Sequence, residues 1–267
     1  MTLTDAQELR YARHLILDEV GEEGQERLLA ARVLVVGAGG LGAPLLLYLA
    51  AAGIGTIGLV DDDRVDLTNL QRQVVHVTGR VGALKVDSAA ETVAALNPDV
   101  KIERHRIRLE AANVGALVAA YDIVADGSDN FPTRYLLNDA CHAAGRTLVA
   151  GALLRFEGQL STFRSHLGGA NPCYRCVFPA PPPPDLVPRC EQAGILGAVA
   201  GVLGTLQATE VIKEVLGLGD SQSGALTLYD ALSGRFRTVR VRPDAGCRLC
   251  GAPRATTTPG HGPESMA

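Results

Sequence analysis

Val33-Leu34-Val35-Val36-Gly37-Ala38-Gly39-Gly40-Leu41-Gly42 carries an apolar run straight into a glycine-rich turn, and Ala43-Pro44-Leu45-Leu46-Leu47 continues it as a helix-forming stretch. A strand, a turn without side chains and a helix start together aim backbone N–H groups at an anion. Gly37 and Gly39 permit a tight turn and close backbone approach, and Gly40 and Gly42 complete the set. Asp61 follows 19 residues after Gly42, at the end of the next expected strand, Thr56–Val60. A carboxylate placed there can hold both hydroxyls of a ribose. The glycines alone are a weak signal; a structural strand-to-helix turn is the minor alternative, and with Asp61 as the only other evidence a nicotinamide or flavin site would be the stronger one.

The residues after Asp61 change that reading. Asp61-Asp62-Asp63 is followed by Asn69-Leu70-Gln71-Arg72-Gln73 and then by Lys85. A dinucleotide domain has no use for an added asparagine, arginine and lysine, whereas a site that handles a triphosphate and releases pyrophosphate does. Arginine supplies a fixed fork of donors and lysine a compact charge for phosphate oxygens. Asn69, Arg72, Gln73 and Lys85 are therefore counted with the glycines and Asp61 as nucleotide-binding; the competing reading is that Arg72 and Lys85 are ordinary surface residues. Asp126-Gly127-Ser128-Asp129-Asn130 follows the expected strand Asp122–Ala125 at its carboxyl end, where open α/β sheets bind ligands. Asp129, rather than Asp126, is the candidate carboxylate for the magnesium of bound ATP, with Asn130 beside it. A helix N-cap role for either aspartate is the alternative. His14 and His76 lie near these segments with no base or metal to pair with, and are read as ordinary.

Outward from the loop, the order is that of an α/β protein. Residues 4–30 read as two short helices with Thr4 as N-cap. Strands are expected at Arg32–Val36, Thr56–Val60, Val100–Arg104, Asp122–Ala125 and Thr147–Ala150, alternating with helices over 40–52, 81–96, 110–120 and 132–144, the pattern of a parallel sheet. After Gly151, antiparallel strands are expected at 156–163, 225–229 and 236–241, with a long apolar helix near 194–216 and a proline-rich segment from Pro179 to Pro184. The tail 252–267, rich in Thr, Pro and Gly, is expected to be disordered. The fold class is α/β: a Rossmann-like, doubly wound, mainly parallel sheet continued by antiparallel strands, with N-terminal helices and a structural zinc site.

With 47% hydrophobic residues, 4% aromatics and no Trp, the 267-residue chain must fill its core with aliphatic side chains. The net charge of -4, with no basic block, argues against nucleic acid as a partner. No apolar run has the length of a membrane span and Met1–Asp5 does not resemble a signal peptide, so a soluble, cytoplasmic protein is expected.

The cysteines form two matched pairs. Cys173-Tyr174-Arg175-Cys176 and Cys247-Arg248-Leu249-Cys250 each have the spacing of a zinc knuckle, and two knuckles close a four-thiolate site with no open position, hence a structural one. Redox disulfides are the alternative. The 70 residues between Cys176 and Cys247 mean that the metal would tie the chain's end to its middle. Cys141 falls on an alanine-rich helix and reads as core. Cys190, beside Arg189 after the proline-rich segment, could form a thioester or persulfide.

These motifs, with Arg10-Tyr11-Ala12-Arg13, Val81-Gly82-Ala83-Leu84-Lys85, Arg134 and Cys190-Glu191-Gln192-Ala193-Gly194, resemble the ubiquitin-activating-enzyme superfamily in its bacterial adenylyltransferase (MoeB/ThiF-like) branch, over about Leu9 to Gly251. The resemblance implies an enzyme that uses ATP and magnesium to adenylate the C-terminal glycine carboxylate of a small ubiquitin-like sulfur carrier ending in Gly-Gly. The carrier would serve molybdopterin, thiamine or tRNA thiolation. It implies a single adenylyltransferase domain over 1–251, made of N-terminal helices (1–31), a nucleotide-binding half (32–150) and a carrier-binding half with the zinc site (151–251). It makes Arg72, Lys85 and Asp129 catalytic, together with Cys190 as a reactive cysteine in a loop over the carrier's tail. Arg13 matches an arginine that reaches the partner subunit's nucleotide, so a homodimer is implied. A separate sulfur donor is expected, because the rhodanese domain of larger relatives is not seen in this chain. A non-catalytic homologue that binds nucleotide or carrier is the alternative, disfavoured by the presence of Arg72, Lys85 and Asp129.

Overall fold

A computed structural model describes residues 2–183 and 194–251. Eight strands form one sheet in the order β3-β2-β1-β4-β5-β6-β7-β8. β1 (Arg32–Val36), β2 (Thr56–Val60), β3 (Lys101–His105), β4 (Ile123–Asp126) and β5 (Thr147–Leu154) pair in parallel; β6 (Glu157–Phe163), β7 (Ala225–Asp230) and β8 (Arg235–Arg240) continue antiparallel. β1 and β4 are apolar without alternation because both faces of a central parallel strand are covered.

The helices divide between the two faces. α2 (Gly21–Ala30), α3 (Gly42–Ala52), α4 (Lys85–Leu96) and the long helix α8 (Gly197–Leu216) share one aliphatic core with Val33, Val35, Ile57 and Leu59. α5 (Val114–Ala119), α6 (Phe131–Ala144) and the short α7 (Tyr174–Val177) cover Leu34, Val36 and Val124 on the other. The sheet is thus doubly wound as expected. α1 (Asp5–Leu15) begins at a Thr4–Gln7 capping box, also as expected. Among the described residues no helix is long and apolar enough to cross a membrane.

Several boundaries depart from the sequence pattern, each for a reason in the tertiary structure. α3 starts at Gly42 rather than 40, since Gly39 and Gly40 stay in the loop. α4 starts at Lys85 rather than 81, because Gly82 and Ala83 are engaged by Val65 backbone groups (3.0 Å or less) and Leu84 bridges Arg64. α5 begins at Val114 rather than 110, since the loop before it is held by the Asn113 side chain, which donates to the Arg108 carbonyl and accepts from the Glu110 N–H. β5 runs past Ala150 to Leu154 because β6 keeps pairing with it after β4 has ended.

α8 lies on the sheet at the ends of β4 and β5, and its buried Gln207 donates to the carbonyls of Asp126 (2.8 Å) and Val149 (2.9 Å). Both acceptors are backbone carbonyls of the central strands β4 and β5, so the side chain ties α8 directly to the sheet. Gly204 of α8 meets the carbonyl of Leu41 so closely that an added Cβ would lie 2.4 Å from it. Helix α8 is thereby fixed against the start of α3, one wall of the site below.

Candidate active site and cysteine cluster

The strand order reverses between β1 and β4, and their carboxyl ends open into a crevice. Two of the four loop glycines are demanded by the fold itself. Gly37 has φ +92°, and a Cβ on Gly42 would lie 1.8 Å from the Gly37 carbonyl oxygen. That contact is backbone on backbone, so no rotamer change relieves it. Gly42→Ala is expected to cost about 2–3 kcal/mol of stability, as overpacking does, measured by urea unfolding. Gly39 and Gly40 differ: a Cβ there would meet nothing nearer than 3.8 Å (Gln73 Nε2) and 3.4 Å (Ala200 Cβ). Their missing side chains leave open a cradle facing the crevice, which is space for a ligand to approach the backbone.

The crevice has a volume of about 290 Å³, and Gly37, Gly39, Gly40, Asp61, Arg72 and Gln73 line it together with Lys85, Asp129, Asn130 and Arg134. Asp61 Oδ2 accepts from the Ala38 N–H (2.8 Å) and Oδ1 from the Asp63 N–H (2.9 Å). Burial pushes its pKa up, against the opposing pull of Lys85 and these two donors. Lys85, nearly buried at the start of α4, pairs with the exposed Asp63 (2.8 Å). Arg72 has no carboxylate partner among the described residues; its Nη1 donates to the Thr68 carbonyl at 3.3 Å. Gln73 is buried and its Oε1 has no hydrogen-bond partner, a vacant acceptor at the wall of the crevice.

The two aspartates after β4 separate cleanly. Asp126 is fully buried, accepts from the Ser128 N–H (2.8 Å) and faces Arg134, so it shapes the loop. Burial raises its pKa, with Arg134 opposing. Asp129 is exposed and lines the crevice, where a cation could reach it. Neither is the helix cap: that is Asn130, whose Oδ1 accepts from the Thr133 N–H (3.0 Å).

Five of the expected residues stand differently from the rest. Asn130 lines the crevice, but its side-chain oxygen is committed to capping α6. Asn69 does not line the crevice; it ends a 3-10 turn capped by Asp66 and its Nδ2 donates to Thr68 Oγ1 (3.2 Å). Gly42 is set back behind the loop by its contact with Gly37. Arg13 is exposed on α1, which seats on the far end of α3 through Tyr11 and Asn97. Ala50, which accepts from Asn97, stands eight positions along α3 from Gly42, a rise of about 12 Å, and Arg13 does not line the crevice of its own chain. Cys190 lies outside the described residues. Cys141 is buried in the core, as expected.

Two further residues stand at or near the crevice. Arg108, on the loop after β3, lines the crevice and also the larger groove of about 1540 Å³ that runs from it across β5–β8. Its guanidinium has no partner among the described residues, and a single arginine in a loop gives no signal. His76 is buried, with both ring nitrogens bonded.

The four paired cysteines converge. Sγ of Cys173 lies 3.8 Å from that of Cys176 and 3.5 Å from that of Cys247, Cys176 and Cys250 are 3.3 Å apart, and all four sulfurs lie within 4.8 Å of one another. A tetrahedron of Zn–S bonds of about 2.3 Å needs S···S separations of about 3.8 Å, so the donor set fits zinc. Burial raises the Cys173 thiol. Burial would raise Cys247 too, but backbone donors at Cys250 and Leu249, with the Cys173 thiol, draw it down to about 7. The first knuckle is α7, clamped on α6 by Arg175–Asp139 (2.5 and 2.7 Å) and by the Tyr174 N–H to Asn138 Oδ1 (2.7 Å). The second follows β8, so the cluster joins the end of the sheet to α6.

Residues 11–249 match the ThiF family. The chain is 53% identical to the SAMP-activating enzyme E1 of Haloferax volcanii, covering 94% of this chain and 92% of that one. It is 50% identical to the sulfur carrier protein adenylyltransferase of Thermus thermophilus, covering 91% and 90%. With the adenylyltransferase and sulfurtransferase MOCS3 of Bos taurus the identity is 55% over 93% of this chain but 54% of the relative, of which this chain spans about half the length. Among solved structures, Escherichia coli MccB with MccA-N7isoASN superposes with a TM-score of 0.79 at 20% identity, covering 93% of this chain and 76% of that one, a likeness of fold.

Proposed function

This chain belongs to the ThiF family, and from that premise we propose that it adenylates the C-terminal glycine carboxylate of a small ubiquitin-like sulfur carrier at the expense of ATP. The observation that carries the reading is the convergence of the glycine cradle, Asp61, Arg72, Lys85 and Asp129 on one crevice, in a chain about half identical to proteins named for this activity along almost their whole length. A nicotinamide site would leave Arg72 and Lys85 without purpose, and a binding-only homologue would have no need of both cations beside Asp129.

In the reaction a carboxylate oxygen of the carrier attacks the α-phosphorus of ATP in line. The bond from that phosphorus to the bridging oxygen breaks, and pyrophosphate leaves with the electron pair. No proton need move, so the protein's task is alignment and charge. The loop N–H groups cradle phosphate, and Asp61 takes the ribose hydroxyls. Arg72 and Lys85 meet the charge that gathers on the departing pyrophosphate, Lys85 exchanging its exposed partner Asp63 for phosphate. Asp129 is the carboxylate we assign to magnesium, which neutralises phosphate charge when bound with ATP. The large groove leading from Asp129 and Arg134 across β5–β8 is the path we assign to the carrier's Gly-Gly tail, and Cys190, outside the described residues, is the residue we assign as the reactive cysteine. We assign Arg13 to the crevice of a second protomer. The exposed apolar side chains Leu9, Ile16 and Leu17 on and after α1 and Tyr48 on α3 support a homodimer interface.

The test is ATP–pyrophosphate exchange by the zinc-loaded protein with each Gly-Gly-ended carrier from the same organism. Exchange that depends on one carrier is the expected result, and the best carrier identifies the pathway served. No exchange with any of them would leave a binding-only protein.

A further inference from the structure

The contacts of His76 form part of a closed circuit around the nucleotide crevice. The Ala38 peptide is held at both ends: its N–H donates to Asp61 Oδ2 (2.8 Å) and its carbonyl lies 3.0 Å from His76 Nε2. His76 Nδ1 lies 2.9 Å from Ser88 Oγ. Ser88 stands on α4 one turn beyond Lys85, whose Nζ pairs with Asp63, and the Asp63 N–H returns to Asp61 Oδ1 at 2.9 Å. A carbonyl accepts only, so the ring carries its proton on Nε2 and its Nδ1 accepts a hydrogen bond from the Ser88 hydroxyl. Burial lowers the pKa of His76 to about 4, against the pull of the Ala38 carbonyl, so the ring is neutral at working pH.

Resting on the adenylylation reading above, we propose that His76 is a positioning residue for ATP, holding the Ala38 peptide so that the glycine cradle and the ribose carboxylate Asp61 keep their mutual geometry. His76 does not line the crevice, so it acts through Ala38 and, by way of Ser88, through the helix that carries Lys85. A ring that only filled space would be indifferent to which of its nitrogens is kept. One that orients Ala38 depends on Nε2.

Two amide substitutions separate these cases, because the asparagine amide reaches about as far as Nδ1 and the glutamine amide about as far as Nε2. For His76→Asn the expected result is a rise of about fivefold in the KM for ATP, the effect of one hydrogen bond, with kcat and the KM for carrier unchanged within about twofold. His76→Gln, which can still donate to the Ala38 carbonyl, recovers most of that loss. Equilibrium binding of ATP without carrier follows the same order. An ATP KM for His76→Asn equal to wild type, or equal impairment of the two variants, overturns the proposal. Should His76→Asn fail to fold, Ser88→Ala decides: a rise of about fourfold in the ATP KM supports it, and a value within about twofold of wild type overturns it. Wild-type protein that neither binds ATP nor exchanges pyrophosphate overturns the functional reading and this inference with it. Active wild type beside an unaltered His76→Asn overturns this inference alone.

Discussion

Arg72→Ala is expected to lower carrier-dependent ATP–pyrophosphate exchange by about a thousandfold, the size seen when a charge that meets a developing phosphate or oxyanion is removed. The same variant should melt within about 2 °C of wild type. The asymmetry comes from its surroundings. Arg72 is half-buried over Gly40, and its one hydrogen bond is a long contact to the Thr68 carbonyl. With no carboxylate to abandon, its removal strands no buried charge. Lys85 is a poorer probe, since it is nearly buried and paired with Asp63, so its loss mixes stability with chemistry. Exchange kinetics and a melting curve on Arg72→Ala settle the matter together. Retained turnover would remove Arg72 from the reaction; a collapsed melting temperature would make it structural.

The second large effect concerns the cysteine cluster. Zinc held there closes a loop of 70 residues between Cys176 and Cys247. Treated as a cross-link on the unfolded chain, a loop of that size is worth about 4 kcal/mol, or about 10 °C in melting temperature for a protein of this length. Cys247→Ser, or exhaustive chelation, should therefore drop zinc well below one equivalent and lower melting by about that amount. ATP affinity should change little, because the cluster braces α6 at Asn138 and Asp139, two turns from the crevice end of that helix. Metal analysis beside calorimetry checks this, and full stability in a zinc-free protein would mean that the four thiols pack without needing an ion.

Much of this was legible in one dimension. The parallel half of the sheet could be read from apolar runs that do not alternate, since burial on both faces leaves no polar position, and the antiparallel half from runs that do. The glycine loop, Asp61 and the paired cysteines were legible for a similar reason: their spacing is set by local geometry, the reach of a turn or a knuckle. Asn69 shows the limit of such reading: a motif fixes which residues stand close in sequence, while its surroundings, the end of a 3-10 turn with its Nδ2 on Thr68 Oγ1, come from the fold. Asn130 lines the crevice as expected, and the fold adds that its side-chain oxygen caps α6.

What the sequence by itself determined is the set of groups and their order: a glycine-rich loop, an acid after the second strand, two cations, an aspartate after the fourth strand and two cysteine pairs along an α/β chain. What the tertiary structure alone decided is which of them meet. It put Asp126 inside and Asp129 out, set Gly42 against the Gly37 carbonyl, left Arg108 without a partner among the described residues between crevice and groove, and made a histidine the link between Ala38 and Ser88. The physical reason is range. Turns, caps and knuckles are written within a few residues, whereas burial and the partner of a buried polar atom depend on elements dozens of positions apart, which only the packed sheet brings together.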